Sequence, residues 1–223
     1  MTKKLLPQAL AKFFLGVLLV GLLVFLPAGT LHYPQGWLFL GILFIPMFLA
    51  GLVMMAKNPA LLKRRLDAKE SHAEQDRMVK LSGLMFLAGF ILAGLTFRFD
   101  WFVLPMDVSL GAAVVFLLAY GLYAEVLREN TWLSRTIQVQ ENQTVVDTGL
   151  YGIVRHPMYS ATVLLFLAMP LILGSLYAFL IFLTYPLIIA KRIRSEEAFL
   201  EKELSGYRAY KQKVKWRMIP FIW

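Results

Sequence analysis

The sequence predicts an all-α, polytopic integral membrane bundle of about six spans, closed by a C-terminal helical hairpin and an interfacial C-terminal helix. Three observations carry that expectation: a composition richer in apolar residues than soluble domains, long uncharged apolar stretches, and basic residues confined to the segments between and after them. Of the 223 residues, 59% are hydrophobic and the mean hydropathy is +0.64, whereas soluble domains hold about 45–50% apolar residues. The formal charge of +9 comes from 23 basic and 14 acidic side chains. In a soluble protein such an excess would raise nucleic acid as a partner, but basic residues that flank apolar runs meet anionic lipid headgroups instead.

Taken in order, apolar stretches run from Phe13 to Leu31, Trp37 to Ala56, Leu81 to Phe97 and Val108 to Ala124. Each approaches the roughly 20 residues that cross a hydrocarbon core of about 30 Å. Lys3, Lys4, Ala28 and Gly29 around the first stretch also permit a signal-peptide reading, but its removal would still leave a polytopic protein. Between the second and third spans, residues 57–80 read as an amphipathic or plain connecting segment whose charges are solvated or held by lipid. The fifth stretch, Tyr159 to Ala190, holds 32 residues, about 48 Å as one helix. That is too long for one span. Pro170, Gly174 and Ser175 at its middle are where a helix most easily breaks into a hairpin, giving spans 5 and 6. The tail from Arg194 to Val214 places Leu200, Leu204, Tyr207 and Val214 at helical intervals, with Trp216, Phe221 and Trp223 after it, which predicts an interfacial helix with aromatic anchors.

Charge selects the hairpin over a single fifth span. With six spans the N-terminus, the 57–80 loop, the 125–158 segment and the tail share one side, and they hold 3, 7, 3 and 9 Lys and Arg residues, 22 of the 23. Only Arg98 lies on the other side. The positive-inside rule then puts both termini in the cytoplasm, in a cell membrane or one of the endoplasmic-reticulum type. Residues 1–126 form a four-span membrane bundle in this reading, and 127–223 the region that carries chemistry.

The absence of cysteine rules out disulfides, thiolate catalysis and Cys-ligated metal centres. His32, His72 and His156 fall on separate segments without metal-ligand spacing, so no metal site is expected. No Gly-rich dinucleotide fingerprint, P-loop or serine-hydrolase elbow occurs. Lys12 and Glu125 stand at span ends, where long side chains snorkel, and this weakens a transporter reading.

Polar groups suited to chemistry gather between Asn130 and Tyr159 and between Lys191 and Glu203, at the two ends of the expected hairpin. Folding it brings Arg155, His156 and Tyr159 toward Arg192, Glu196 and Glu197. At the entrance, Gly149 and Gly152 permit a tight path and Pro157 fits a first helical turn. Taken alone, Arg155 and His156 read as boundary markers, and Tyr159 as part of an aromatic belt. Arg192 and Glu196, four apart, read on their own as a surface ion pair worth under about 1 kcal/mol.

The combination of TGLYGIVRHPMYS, a long apolar hairpin, RIRSEEAFLEKELSGYRAYKQKV and a closing Ile-Pro resembles the isoprenylcysteine carboxyl methyltransferase family, to which phospholipid N-methyltransferases are related. The likeness covers roughly Gln138 to Pro220, and the NPALL-and-basic loop is similar to prokaryotic-type members. Gln143 stands where the family often has His, Ala161 where it has Gly, and the GYxxY segment at Gly206 is shortened. The resemblance implies an S-adenosylmethionine-dependent enzyme with a cytosol-facing cofactor pocket and a lateral opening for a lipophilic or prenylated substrate. It carries cofactor contacts to Gln138, to Gln143, Thr144, Val145 and Val146, to Tyr151, to His156, Pro157, Met158 and Tyr159, and to Glu196. It carries the substrate-associated arginine to Arg192. His156 and Tyr159 then act with Arg192 as positioning groups, His156 being the one candidate base. Alternatives are a phospholipid or small hydrophobic amine or thiol methyltransferase, an NADPH-dependent enzyme of the steroid-reductase type, and a non-enzymatic membrane scaffold or carrier.

Overall fold

A computed structural model describes residues 2–66, 73–133 and 139–223. Its helices are α1 (Thr2–Ala28), α2 (Pro34–Lys57), α3 (Pro59–Leu66), α4 (Ala73–Arg98), α5 (Met106–Glu129), α6 (Pro157–Ile172), α7 (Leu176–Phe182), α8 (Tyr185–Glu203) and α9 (Tyr207–Lys213), with a 310 turn at Gly149–Gly152. Among the described residues the only extended pairing is an isolated bridge between Val103 and Ser175.

The chain is an integral membrane protein by the length and composition of its helices. Leu5–Ala28, Pro34–Lys57, Asp76–Arg98, Met106–Glu129 and Leu176–Glu203 are each long and apolar enough to cross a bilayer, and Pro157–Ile172 is a shorter apolar helix. Phe14, Leu18 and Leu26 of α1, Leu118 of α5 and Leu187 of α8 are all more than half exposed. In water so much bare apolar surface would be heavily penalised, whereas hydrocarbon accepts it and leaves the backbone to satisfy itself within helices.

The hairpin forms, with its turn at residues 173–175. Gly174 sits there at φ 71°, a left-handed conformation that favours glycine. Ser175 then caps α7 by accepting from the Ala178 amide at 3.1 Å, and its hydroxyl lies 2.9 Å from that of Thr96. The Leu104 amide donates to the Gly174 carbonyl at 2.8 Å, and the Tyr33 hydroxyl to the Leu173 carbonyl. The hairpin tip is thus fastened to the α1–α2 and α4–α5 connections, at the end of the bundle away from residues 155 and 197. α5 packs extensively along α6, and α4 lies against α1 and α7. Phe86, Phe90, Phe166 and Phe182 interlock at the centre with ring centroids 4.7–6.0 Å apart.

Two details differ from the break expected at the middle of the stretch. Pro170 lies inside α6, with its carbonyl accepting from the Ser175 amide at 2.9 Å. A second interruption falls at Leu183–Thr184, just before Pro186, which has no N–H to donate to the Phe182 carbonyl. The connecting segment after α2 contains α3, which buries Leu61 and Leu62. Lys12 ties α1 to α3 by donating to the Leu66 carbonyl at 2.6 Å, and Arg65 donates to the Tyr123 hydroxyl of α5. His72 lies outside the described residues. The helical tail is divided at 204–206, where Gly206 takes φ 83°. Leu204, Tyr207, Tyr210 and Val214 bury together against Val139, Val145 and Leu200.

Candidate functional site

The two ends of the hairpin meet around Glu197, which is buried on α8. Arg155 Nε donates to Glu197 Oε1 at 2.7 Å, and Arg217 Nε to Oε2 at 3.0 Å. His156 Nε2 lies 3.3 Å from Oε1. Arg155 is also satisfied by the carbonyls of Val214 and Lys215, at 2.7 and 2.8 Å. The amides of Arg155 and His156 donate to the Trp216 and Arg217 carbonyls at 2.9 and 2.8 Å. Residues 214–218 therefore run as a strap across the start of α6, and the Ser160 hydroxyl holds it by donating to the Met218 carbonyl at 2.6 Å. A buried ion cluster is tolerated only when every charge is paired and hydrogen-bonded in this way.

One residue along α8, Glu196 faces different surroundings, because neighbouring helical positions point about 100° apart. The Tyr159 hydroxyl donates to Glu196 Oε2 at 2.6 Å and accepts from Arg192 Nε at 2.9 Å. Tyr159 thus bridges a guanidinium and a carboxylate that stand one turn apart on the opposing helix. Pro157 is the first residue of α6 and His156 its N-cap; the proline needs no amide partner at that position.

The wall opposite α8 is built by the chain between α5 and α6. Gly149 takes φ 53°, and a Cβ there would stand 1.6 Å from Glu129 Oε1. That space lets the Glu129 carboxylate accept from the Leu150 amide at 3.1 and 2.9 Å. Asn130 Nδ2 donates to the Tyr151 hydroxyl at 3.0 Å, and the Tyr210 hydroxyl to the Tyr151 carbonyl at 2.8 Å. Gln143 Oε1 accepts from the Gln140 amide at 2.9 Å, which shapes the turn before Thr144.

These walls surround an open-mouthed cleft with about 840 Å³ of space, the solvent-facing mouth included. Gln143, Thr144, Val145, Val146, Tyr151, His156, Met158, Tyr159, Arg192 and Glu196 line it together. Pro157 is not on the lining, and Gln138 lies outside the described residues. Trp132 and Leu133 beyond the end of α5, and Leu200, Leu204, Tyr207 and Tyr210 on the α8–α9 side, also line the pocket. The sequence placed Leu200, Leu204 and Tyr207 on one helical face but assigned none of these six residues to a site. Burial pushes the phenols of Tyr151, Tyr207 and Tyr210 well above the ordinary tyrosine value, and the Glu197 and Glu196 charges add to this at Tyr207. All three are neutral donors at physiological pH. The Tyr207 hydroxyl is buried without a hydrogen-bond partner among the described residues. Also among the described residues, no three or more His, Asp or Glu side chains gather where they could hold a metal ion.

A protein-family model described as phospholipid methyltransferase matches residues 108–206. The stretch runs from α5 to just past α8, and so contains the hairpin, the Tyr159–Arg192–Glu196 bridge, and Arg155, His156 and Glu197 of the ion cluster, but not Arg217. Over that stretch the chain is similar to phospholipid methyltransferases. No curated protein matches the chain.

Proposed function

We propose that this protein is an S-adenosylmethionine-dependent membrane methyltransferase whose acceptor is lipophilic, and that its preferred reaction is carboxyl O-methylation of an isoprenylcysteine-like group. The observation that carries the reading is the bridge in which Tyr159 joins Arg192 to Glu196 inside a pocket at the mouth of the hairpin. In this reading residues 1–126 are the membrane bundle and 127–223 the catalytic region, with both termini and the pocket in the cytoplasm, where nearly all basic residues would lie.

The donor set fits the cofactor. Glu196 offers a carboxylate to the ammonium of its amino-acid end, and Trp132, Leu133, Val145, Val146, Leu200 and Leu204 give apolar and aromatic walls for a nucleobase. Thr144 and Tyr151 would complete its polar contacts. Once bound, the cofactor supplies a methyl group on a sulfonium sulfur; the acceptor oxygen forms the new C–O bond while the electrons of the broken C–S bond stay on sulfur.

The chain's own task is to position groups and exclude water. A carboxylate is already a nucleophile at neutral pH, with an ordinary pKa of about 4, so no residue has to remove a proton. Arg192 orients it by a charge-assisted contact, and Tyr159 keeps that guanidinium in register with Glu196. His156, beside Glu197, fixes the start of α6 and so the placement of Tyr159. The apolar walls and the lipid at the mouth keep water from competing.

The matched family's description favours a second reading, an amine acceptor on a phospholipid. Such an acceptor would have to lose a proton, with His156 as the candidate base. Labelled methyl transfer from S-adenosylmethionine in lipid nanodiscs, to N-acetyl-S-farnesylcysteine and to phosphatidylethanolamine in parallel, separates the two. The first reading predicts base-labile label on the farnesylated acceptor; stable label confined to the phospholipid gives the second.

A further inference from the structure

We propose that Tyr207 is a cofactor-contact residue whose phenolic hydroxyl donates a hydrogen bond to an acceptor atom of the bound S-adenosyl ligand. This assignment rests on the methyltransferase reading above and adds a residue to it.

Tyr207 opens α9, directly after the left-handed Gly206, and its side chain lines the pocket. The residue is 4% exposed, and its hydroxyl has no partner among the described residues. The other phenols of the pocket are all engaged. Tyr210, one turn further on, donates to the Tyr151 carbonyl; Tyr151 accepts from Asn130; Tyr159 bridges Glu196 and Arg192. Buried polar atoms in folded proteins are overwhelmingly paired, because an unpaired one forfeits its bonds to water. An orphan hydroxyl on a residue that lines the pocket, one turn before a tyrosine satisfied within the protein, therefore points to a partner that arrives with the ligand. The groups around it fix its role. With carboxylates of Glu196 and Glu197 nearby and burial on every side, the phenol stays protonated, so it acts as a donor. The nucleoside and amino-acid parts of the cofactor offer it oxygen and ring-nitrogen acceptors.

A structural hydroxyl and a ligand-directed one behave oppositely when removed. Tyr207→Phe deletes an unpaired polar atom, so the ligand-free protein should melt at or above the wild-type temperature. The same variant should bind S-adenosylhomocysteine about 5- to 10-fold more weakly, the loss expected for one hydrogen bond. Tyr210→Phe is the contrast: it breaks a bond within the protein and should lower the ligand-free melting temperature. The experiment is calorimetric titration of the purified full chain with S-adenosylhomocysteine, paired with ligand-free melting, for wild type and both variants. Unchanged affinity in Tyr207→Phe overturns the assignment, and so does a fall in its ligand-free melting temperature, which would make the hydroxyl a packing element. If wild type itself does not bind, the methyltransferase reading fails and takes the assignment with it.

Discussion

Arg155 and Glu197 are 42 positions apart, yet Arg155 Nε donates to Glu197 Oε1 at 2.7 Å with both side chains almost wholly buried. This contact clamps the entrance of the hairpin to its exit and holds Tyr159 opposite Arg192 and Glu196. Everything proposed for the pocket depends on that closure.

Glu197→Ala would leave Arg155 as an uncompensated buried charge, with Arg217 and His156 losing the same partner. The expected cost is about 3–5 kcal/mol, read as a lower denaturation midpoint in detergent. Arg155→Ala should cost a similar amount, and the double variant much less than the sum, because the two side chains share one interaction. Additive losses would mean that the pair does not act as a clamp.

Tyr159→Phe removes only the oxygen between Arg192 and Glu196. A hydrogen bond to a charged group contributes about 1.5–3 kcal/mol, so methyl transfer should slow by at least about tenfold while the fold persists. Rates within twofold of wild type would show that the bridge has no positioning role.

Arg192→Ala should abolish transfer and leave S-adenosylhomocysteine binding largely intact, since the guanidinium is assigned to the acceptor. Arg192→Lys should rescue little, because a single ammonium cannot serve the Tyr159 hydroxyl and an acceptor with the same fork geometry. Full activity in the lysine variant would remove the directional role of the guanidinium.

Gly149→Ala combines a left-handed φ of 53° with a Cβ placed 1.6 Å from Glu129 Oε1. The conformation alone costs about 1–2 kcal/mol, and moving Glu129 also frees the Leu150 amide. The variant should melt lower and bind S-adenosylhomocysteine more weakly, since the 310 turn carries Tyr151 into the pocket. Wild-type behaviour in both measurements would place the turn outside the site.

Much of this architecture could be read from the residues, for a physical reason. Apolar stretches of bilayer length report spans, and the placement of the basic residues predicts the fold-back of residues 159–190 that α6, α7 and α8 make. What escaped the sequence is set by contacts distant in the chain. Pro170 was a candidate for the turn, but α6 runs through it because Gly174 and Ser175 find partners in Leu104 and Thr96 on other elements. The resemblance assigns Glu196 to the cofactor and gives Glu197 no role; helix rotation against Arg155 and Arg217 sends Glu197 into an ion cluster and turns Glu196 to Tyr159. The stripe of Leu200, Leu204, Tyr207 and Val214 was legible as a helical face. That it packs on Val139 and Val145 and walls a pocket required the chain before the 310 turn to be in place.

A clamped hairpin that builds one pocket for an S-adenosyl ligand is tested most directly by ligand titration of the nanodisc-embedded protein. S-adenosylhomocysteine should bind saturably at one site per chain, with affinity reduced at least about tenfold by Glu196→Gln, the loss expected of a charged hydrogen bond, and NADPH should not compete. Binding of NADPH in place of S-adenosylhomocysteine, or of neither ligand, would contradict the account.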